Sequence, residues 1–331
     1  MNKLFSRTLI AAALALPALA YAQAGPITFD MNGAGAAQSF TVDLLDWTPG
    51  NALAINGNPA GGLVVGSQTQ LLYQANLGIV SLGGVTQAAA GLGGAQQFTA
   101  TAGFNEIVLT NISGSNPTFG LFDGLVRDAS NFFYIYANQF GTNLSGLGFA
   151  QAGGTLVMSG YISAVLSSNF TATGFTIPDP ITGLPIPAPL DNFGTNNYPG
   201  ITTLVGTGAS NINVTIDFAN QLYFPGLAAG GTFAFSFFNT SQVTPFNQAD
   251  PSACFSSNGV LGGAVCNVAH NVGSVNGFTD VNGITRNFQF QADANQSFRQ
   301  VSKVPEPGSL ALVGLALAGL GFAGRRAAKK A

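Results

Sequence analysis

Three observations predict an all-β, sandwich-like fold. Apolar residues alternate with small or polar ones over much of the chain, Asn-Gly pairs recur between these runs, and the central region lacks the 3.6-residue spacing of an amphipathic helix. Phe233, Phe235 and Phe237 form one alternating run, and Ile212, Val214, Ile216 and Phe218 form another, interleaved with Asn213, Thr215 and Asp217. Phe288 and Phe290 begin a third between Asn287, Gln289 and Gln291. Each has the period of two that puts one strand face in a core. The same reading predicts strands over residues 40–47, 69–77, 97–102, 107–112, 132–137, 156–165 and 169–175.

Asn32, Asn56, Asn258, Asn276 and Asn282 are each followed by glycine, a pairing suited to the positive backbone angles of tight turns. More than ten short strands with such turns, and no fixed-period repeat, point to a sandwich rather than a propeller or solenoid. Residues 177–200 hold Pro178, Pro180, Pro185, Pro187, Pro189 and Pro199 and cannot form a central strand. They read either as a linker between two domains or as a long ordered loop within one.

The two ends carry targeting chemistry. Lys3 and Arg7 precede the apolar run from Leu9 to Leu16, Pro17 breaks it, and Ala20 and Ala22 supply the small side chains that a signal peptidase reads. Residues 1–22 are therefore predicted to be a signal peptide cleaved after Ala22, delivering an ectodomain of residues 23–300. Residues 309–324 contain no charge and would cover about 24 Å as a helix, marginal against a hydrocarbon layer of about 30 Å. They are predicted to form a single transmembrane helix. The basic tail 325–331, with Arg325, Arg326, Lys329 and Lys330, would stay in the cytoplasm and leave the preceding chain outside.

Pro305-Glu306-Pro307, the short apolar segment and Arg325-Arg326 together resemble the PEP-CTERM sorting signal of Gram-negative bacteria. The resemblance spans about the last 28 residues, 304–331. It implies recognition, and cutting near Pro305 to Pro307, by exosortase, a membrane-embedded cysteine transpeptidase of bacteria that make exopolysaccharide. The helix would then be a temporary membrane anchor.

Between the two signals stand four cations, Arg127, Arg286, Arg299 and Lys303, against twelve acids, a net charge of −8. So acidic a segment cannot release many counterions from a phosphate backbone, which argues against nucleic acid as a partner. Only 7% of the whole chain is charged, so the surface must consist largely of Asn, Gln, Ser, Thr and Gly, while 27 Phe and 7 Tyr supply ample material for a core. Cys254 and Cys266 are the only cysteines, and in an exported protein they are predicted to form a disulfide.

Enzyme chemistry finds few groups to work with. His270 is the one histidine and lies in a polar, Asn-rich stretch without a Gly-x-Ser-x-Gly elbow, so it reads as a solvated loop residue. Twelve carboxylates are present, yet no spacing selects a glycosidase pair. No catalytic residue is predicted, and neither a cofactor nor a zinc site. Calcium is the ion best suited to this chain, with Asp43 and Asp46 near Asn51, or Asp280, Asn282 and Asp293, as ligand sources. Trp47, Tyr134, Tyr136 and Tyr198 are candidates for stacking on sugar rings, against the alternative of packing in the core.

Ile27 to Gly35 and Leu45 to Ala54 look like the start of the flocculation-associated group of PEP-CTERM proteins, a resemblance that implies a role in holding cells in an exopolysaccharide matrix. The sequence thus reads as a non-enzymatic surface or matrix protein promoting flocculation or biofilm formation by contact with exopolysaccharide or with itself, through strand edges that little charge protects. The alternative is a carbohydrate-active or calcium-dependent glycan-binding domain on the same anchor.

Overall fold

The computed structural model describes residues 25–34, 39–57, 63–112, 116–122, 127–128, 130–138, 155–174, 176–189, 205–238 and 288–298. They form strands and turns, with no helix among them. The signal peptide with Ala20 and Ala22, the cysteines Cys254 and Cys266, and the segment from Pro305 through Glu306 and Pro307 to Arg325 and Arg326 lie outside the described residues, as do His270, Tyr198, Asp280 and Asn282. No helix long and apolar enough to cross a membrane occurs among the described residues, and 309–324 is not among them.

The core is built from β3 (Leu44–Ile55), β4 (Gln68–Leu82), β6 (Gln97–Ile112), β8 (Phe132–Asn138), β9 (Thr155–Gly174), β12 (Val205–Ala219), β13 (Thr232–Phe238) and β14 (Phe288–Ser297). Each pairs antiparallel with the next, and β14 returns to pair with β3. The two-residue β5 (Val85–Thr86) pairs with the end of β4. The expected two facing sheets are therefore joined into one ring, a closed up-and-down barrel. Among the described residues, closure leaves the ring without the long free edges on which edge-to-edge self-contact was predicted to depend. Two predicted pairs of strands are single long ones: 97–102 and 107–112 are both β6, and 156–165 and 169–175 fall largely within β9. The Pro-rich segment is flanked by β9 and β12, which pair directly with each other. Its first part folds into a small hairpin of β10 (Thr176–Pro178) and β11 (Pro185–Pro187), separate from the ring.

Strand alternation turns an apolar set inward. Phe233, Phe235 and Phe237 of β13 reach across to Phe133 of β8, at 5.1 and 5.2 Å from Phe233 and Phe235, and to Tyr73 of β4, at 4.8 Å from Phe237. Opposite β13 in the ring, β6 contributes the small Ala100 and Ala102, both buried, so large side chains meet small ones across the lumen. Gly160 of β9 is required by the same crowding. A Cβ there would lie 2.3 Å from the carbonyl oxygen of Thr215 on the neighbouring strand.

One end of the barrel is plugged. The hairpin of β1 (Ile27–Asp30) and β2 (Ser39–Val42) inserts Phe29 against Phe98 at 5.0 Å and Phe224 at 5.2 Å. Its Asn32-Gly33 turn is held by Asp30, whose carboxylate accepts hydrogen bonds from the backbone of Asn32 and Gly33 and from the hydroxyl of Ser39. Gly33 has φ of 64°, and Asn56 of the second Asn-Gly pair has φ of 59°.

The slot between β6 and β9 is filled by two strands in succession. β8 covers the half of β6 nearest the plug, and β7 (Asn116–Leu121) covers the other half, beginning at Glu106. Where they meet, the wall has a seam. There the buried side chain of Asn131 replaces a strand, accepting from the amide of Ile162 at 2.8 Å and donating to its carbonyl at 3.0 Å. Asp128 holds this turn by accepting from the hydroxyl of Ser130 and from the backbone of Ser130 and Asn131, and these bonds, the hydroxyl's first, lower its pKa.

Truncating Phe235 to Ala should lower stability by about 3–5 kcal/mol, and Gly160→Ala by about 1–3 kcal/mol through overpacking. Leu222→Ala, at an exposed position, should change it by less than about 0.5 kcal/mol. Chemical denaturation of the three variants checks this ordering.

Candidate functional site

The sugar-stacking candidates separate by strand face. Trp47 follows Leu45 inward on β3 and is fully buried in the core. Tyr134 and Tyr136 point outward from β8, because Phe133, Ile135 and Ala137 occupy its inner face. Both tyrosines are half-buried, their rings 6.0 Å apart, and Phe132 stacks on Tyr134 at 5.3 Å. Phe132 also lies over Gly103 of β6, where a Cβ would meet the ring at 2.5 Å.

Beside this row stands the one cation among the described residues. The guanidinium of Arg127 lies 5.8 Å from the Tyr134 ring centroid and contacts the carboxylate of Asp217 on β12 at 2.6 Å. Asp217 also accepts a hydrogen bond from Ser159 of β9. The result is an outward row of aromatic rings bordered by an ion pair that carries no net charge. The two half-buried tyrosines, with hydroxyl and carboxylate groups beside them, give this surface the mixed aromatic and polar chemistry that suits neutral, hydroxyl-rich ligands.

The predicted calcium groupings are rearranged. Asp43 is buried and accepts from the amide of Gly83 at 3.0 Å. Asp46, instead of joining Asp43, lies on the ladder where β3 meets β14, opposite Asn295, and in the field of Asp293. With its amide turned to donate, Asn295 reaches Asp46 at 2.8 Å. Burial, and then the charge of Asp46, push the Asp293 carboxyl up to about 6, while a bond from the Ala294 amide opposes them. Burial raises Asp46 as well. Both strands depart from regular pairing here, between Ala292 and Ala294 and between Trp47 and Asn51. Pro49, which has no amide to donate, sits in that irregular stretch of β3. Among the described residues no group of three or more His, Cys, Asp or Glu side chains is placed to hold a metal.

Sequence reasoning missed Glu106 altogether. It is 5% exposed, its carboxyl is pushed up to about 7 by burial, and the nearby Ser168 hydroxyl works in the opposite direction. It stands between the predicted strands 97–102 and 107–112 and belongs to neither, and only the continuity of β6 places it inside the barrel.

With this geometry in view, the tail can be compared with known families. The family description "PEP-CTERM protein-sorting motif" matches residues 303–327. This chain carries a PEP-CTERM sorting motif. The motif marks it as an exported, exosortase-targeted protein, anchored in the membrane and then presented at the cell surface. Comparison with curated proteins and with solved structures returns no match.

Asp293 should titrate near 6, and Asp46→Asn should bring it down toward the ordinary carboxylate range. Because its folded pKa lies above the unfolded value, its contribution to stability is complete below about pH 4 and is lost as pH rises through about 6. Carboxyl chemical shifts followed by NMR across this range check both statements.

Proposed function

We propose that the protein is a non-enzymatic component of the cell surface or extracellular matrix that promotes flocculation or biofilm formation by binding exopolysaccharide. The observation that supports this reading most directly is the outward Tyr134–Tyr136 row beside the Arg127–Asp217 pair, on a barrel delivered by an exosortase tail. A charge-poor outer face lowers the cost of approaching a neutral glycan, because few ions must lose their hydration on contact. The rigid rings need little further ordering to stack on sugars. The ring's closure turns the reading away from strand-edge self-contact and toward side-chain recognition.

A second reading, calcium-dependent glycan binding, draws on Asp46 and Asp293, whose mutual repulsion a divalent cation would relieve. Calorimetric titration with calcium chloride alone should give heat if this reading holds, and a flat titration removes it.

In the host, the wild-type product should be found outside the cell with its tail cut near Pro305 to Pro307, and a strain lacking the exosortase should keep the tail and lose aggregation. Intact-mass measurement on both strains, with a flocculation assay, checks this; a retained tail and unchanged aggregation in both would refute it. Replacing Tyr134 and Tyr136 together with Ala should weaken co-sedimentation with host exopolysaccharide on the order of tenfold, at about 0.5–1.5 kcal/mol per ring.

A further inference from the structure

We propose that residues 239–287, which join β13 to β14, lie as a second layer on the outer face of β14, β3, β4 and β6, with Tyr134 and Tyr136 along its margin. The observation behind this is burial on the unexpected side of the wall. Alternation fixes which side each residue takes: Ala52, Tyr73, Ala75, Ala100 and Ala102 belong to the core, so Leu53, Leu72, Gln74, Thr99 and Thr101 point away from it. Register agrees, because Gln74 stands opposite Thr101 and Thr101 opposite the outward Tyr134, while Leu72 stands opposite both Leu53 and Gly103. Gln291 of β14 joins the same cross-strand row by way of Asn51. Outward residues of a barrel with a bare wall touch water. These do not: Leu53, Thr99, Thr101 and Gln291 are 0% exposed, Gln74 is 1% and Leu72 is 2%.

The opposite wall supplies the contrast. On β12 and β13 the outward Asn213, Thr215, Ala234 and Ser236 each keep part of their surface in solvent. Neighbouring side chains cannot account for the difference, because Leu53, Leu72 and Gln74 are themselves large and every one is shut off from water. Another layer of chain must therefore lie over them. It is apolar where it meets Thr101, whose Oγ1 is buried without a hydrogen-bond partner.

Three internal connections are candidates for that layer, and the ends of each decide between them. Residues 239–287 return to the wall at Phe288, opposite Ala54, so the chain enters β14 beside Leu53 and three residues before Gln291. Length favours them too. From β14 to β8 the wall crosses four strand spacings of about 4.8 Å, about 19 Å in all, which this longest connection can cross and recross. Its composition matches a face without charge, with Phe246, Phe255, Leu261, Phe278 and Ile284 against the three charges of Asp250, Asp280 and Arg286. Residues 139–154 instead leave β8 after Asn138 and would pass Tyr134 and Tyr136 before reaching Gln291, yet those two tyrosines are the less buried. Residues 190–204 lead into Val205 of β12, on the wall whose outward residues stay wetted. The tyrosine row is then an edge position, reached from the side of Arg127 and Asp217, and the layer is independent of what the tyrosines bind.

Photo-cross-linking of the full exported chain tests the proposal. The group p-benzoylphenylalanine in place of Phe132, whose ring shares the space over Gly103 with Leu72, should on irradiation join peptides of residues 239–287 within the same chain. Its yield should exceed that of the same group in place of Thr215 on the order of tenfold, since only the layered wall has this segment within a contact distance of about 4.5 Å. Photo-leucine at position 72, which keeps the shape of leucine, repeats the test if the first substitution does not fold. Cross-links to residues 139–154 or 190–204, cross-links to a second copy of the chain, or equal yields from the two walls would overturn the proposal.

Discussion

Everything else in this molecule depends on filling the inside of a closed ring. Eight antiparallel strands leave a lumen that must be occupied by side chains, and the phenylalanines of β13 occupy it. They can do so because the facing strand, β6, supplies alanines, and because Gly160 lets β9 approach Thr215 without a Cβ between them. The plug of Phe29 and Phe224 completes the packing at one end. Phe directed inward and the Arg127–Asp217 pair directed outward are the reverse of a barrel whose outside meets lipid.

Much of this was legible in the chain. The alternation around Phe233 and Ile212 marks strands whose inner face is wholly apolar, and those strands form where the pattern places them. Closure was not legible, because alternation reports which face is buried and says nothing about whether the last strand returns to the first. The length of β6 was hidden for a different reason. Gly103, Asn105 and Glu106 interrupt the apolar pattern between the two predicted strands, but Phe132 covers the glycine and the inner face takes in a glutamate whose pKa burial raises.

The candidate site shows the same division. Tyr134 and Tyr136 were identifiable from residue type, and only their register on β8 decides that they face out while Trp47 faces in. Asp46 and Asp293 stand far apart in sequence and were assigned to different groups. The β3–β14 ladder that closes the ring is what brings them together, so no reading that stops at local spacing could have paired them.

The placement of β14 has a mechanical consequence. This last described strand lies inside the ring, paired with β3 on one side and β13 on the other, and its final residues reach the plugged end, where Phe298 donates to the carbonyl of Asp43. The sorting tail continues the chain from that end. A pull applied to the chain beyond Phe298 therefore runs along β14, parallel to its axis. Such a load must break the flanking ladders together rather than one bond at a time, and a tether joined to the wall in this way resists shear far better than one hung from an outlying hairpin.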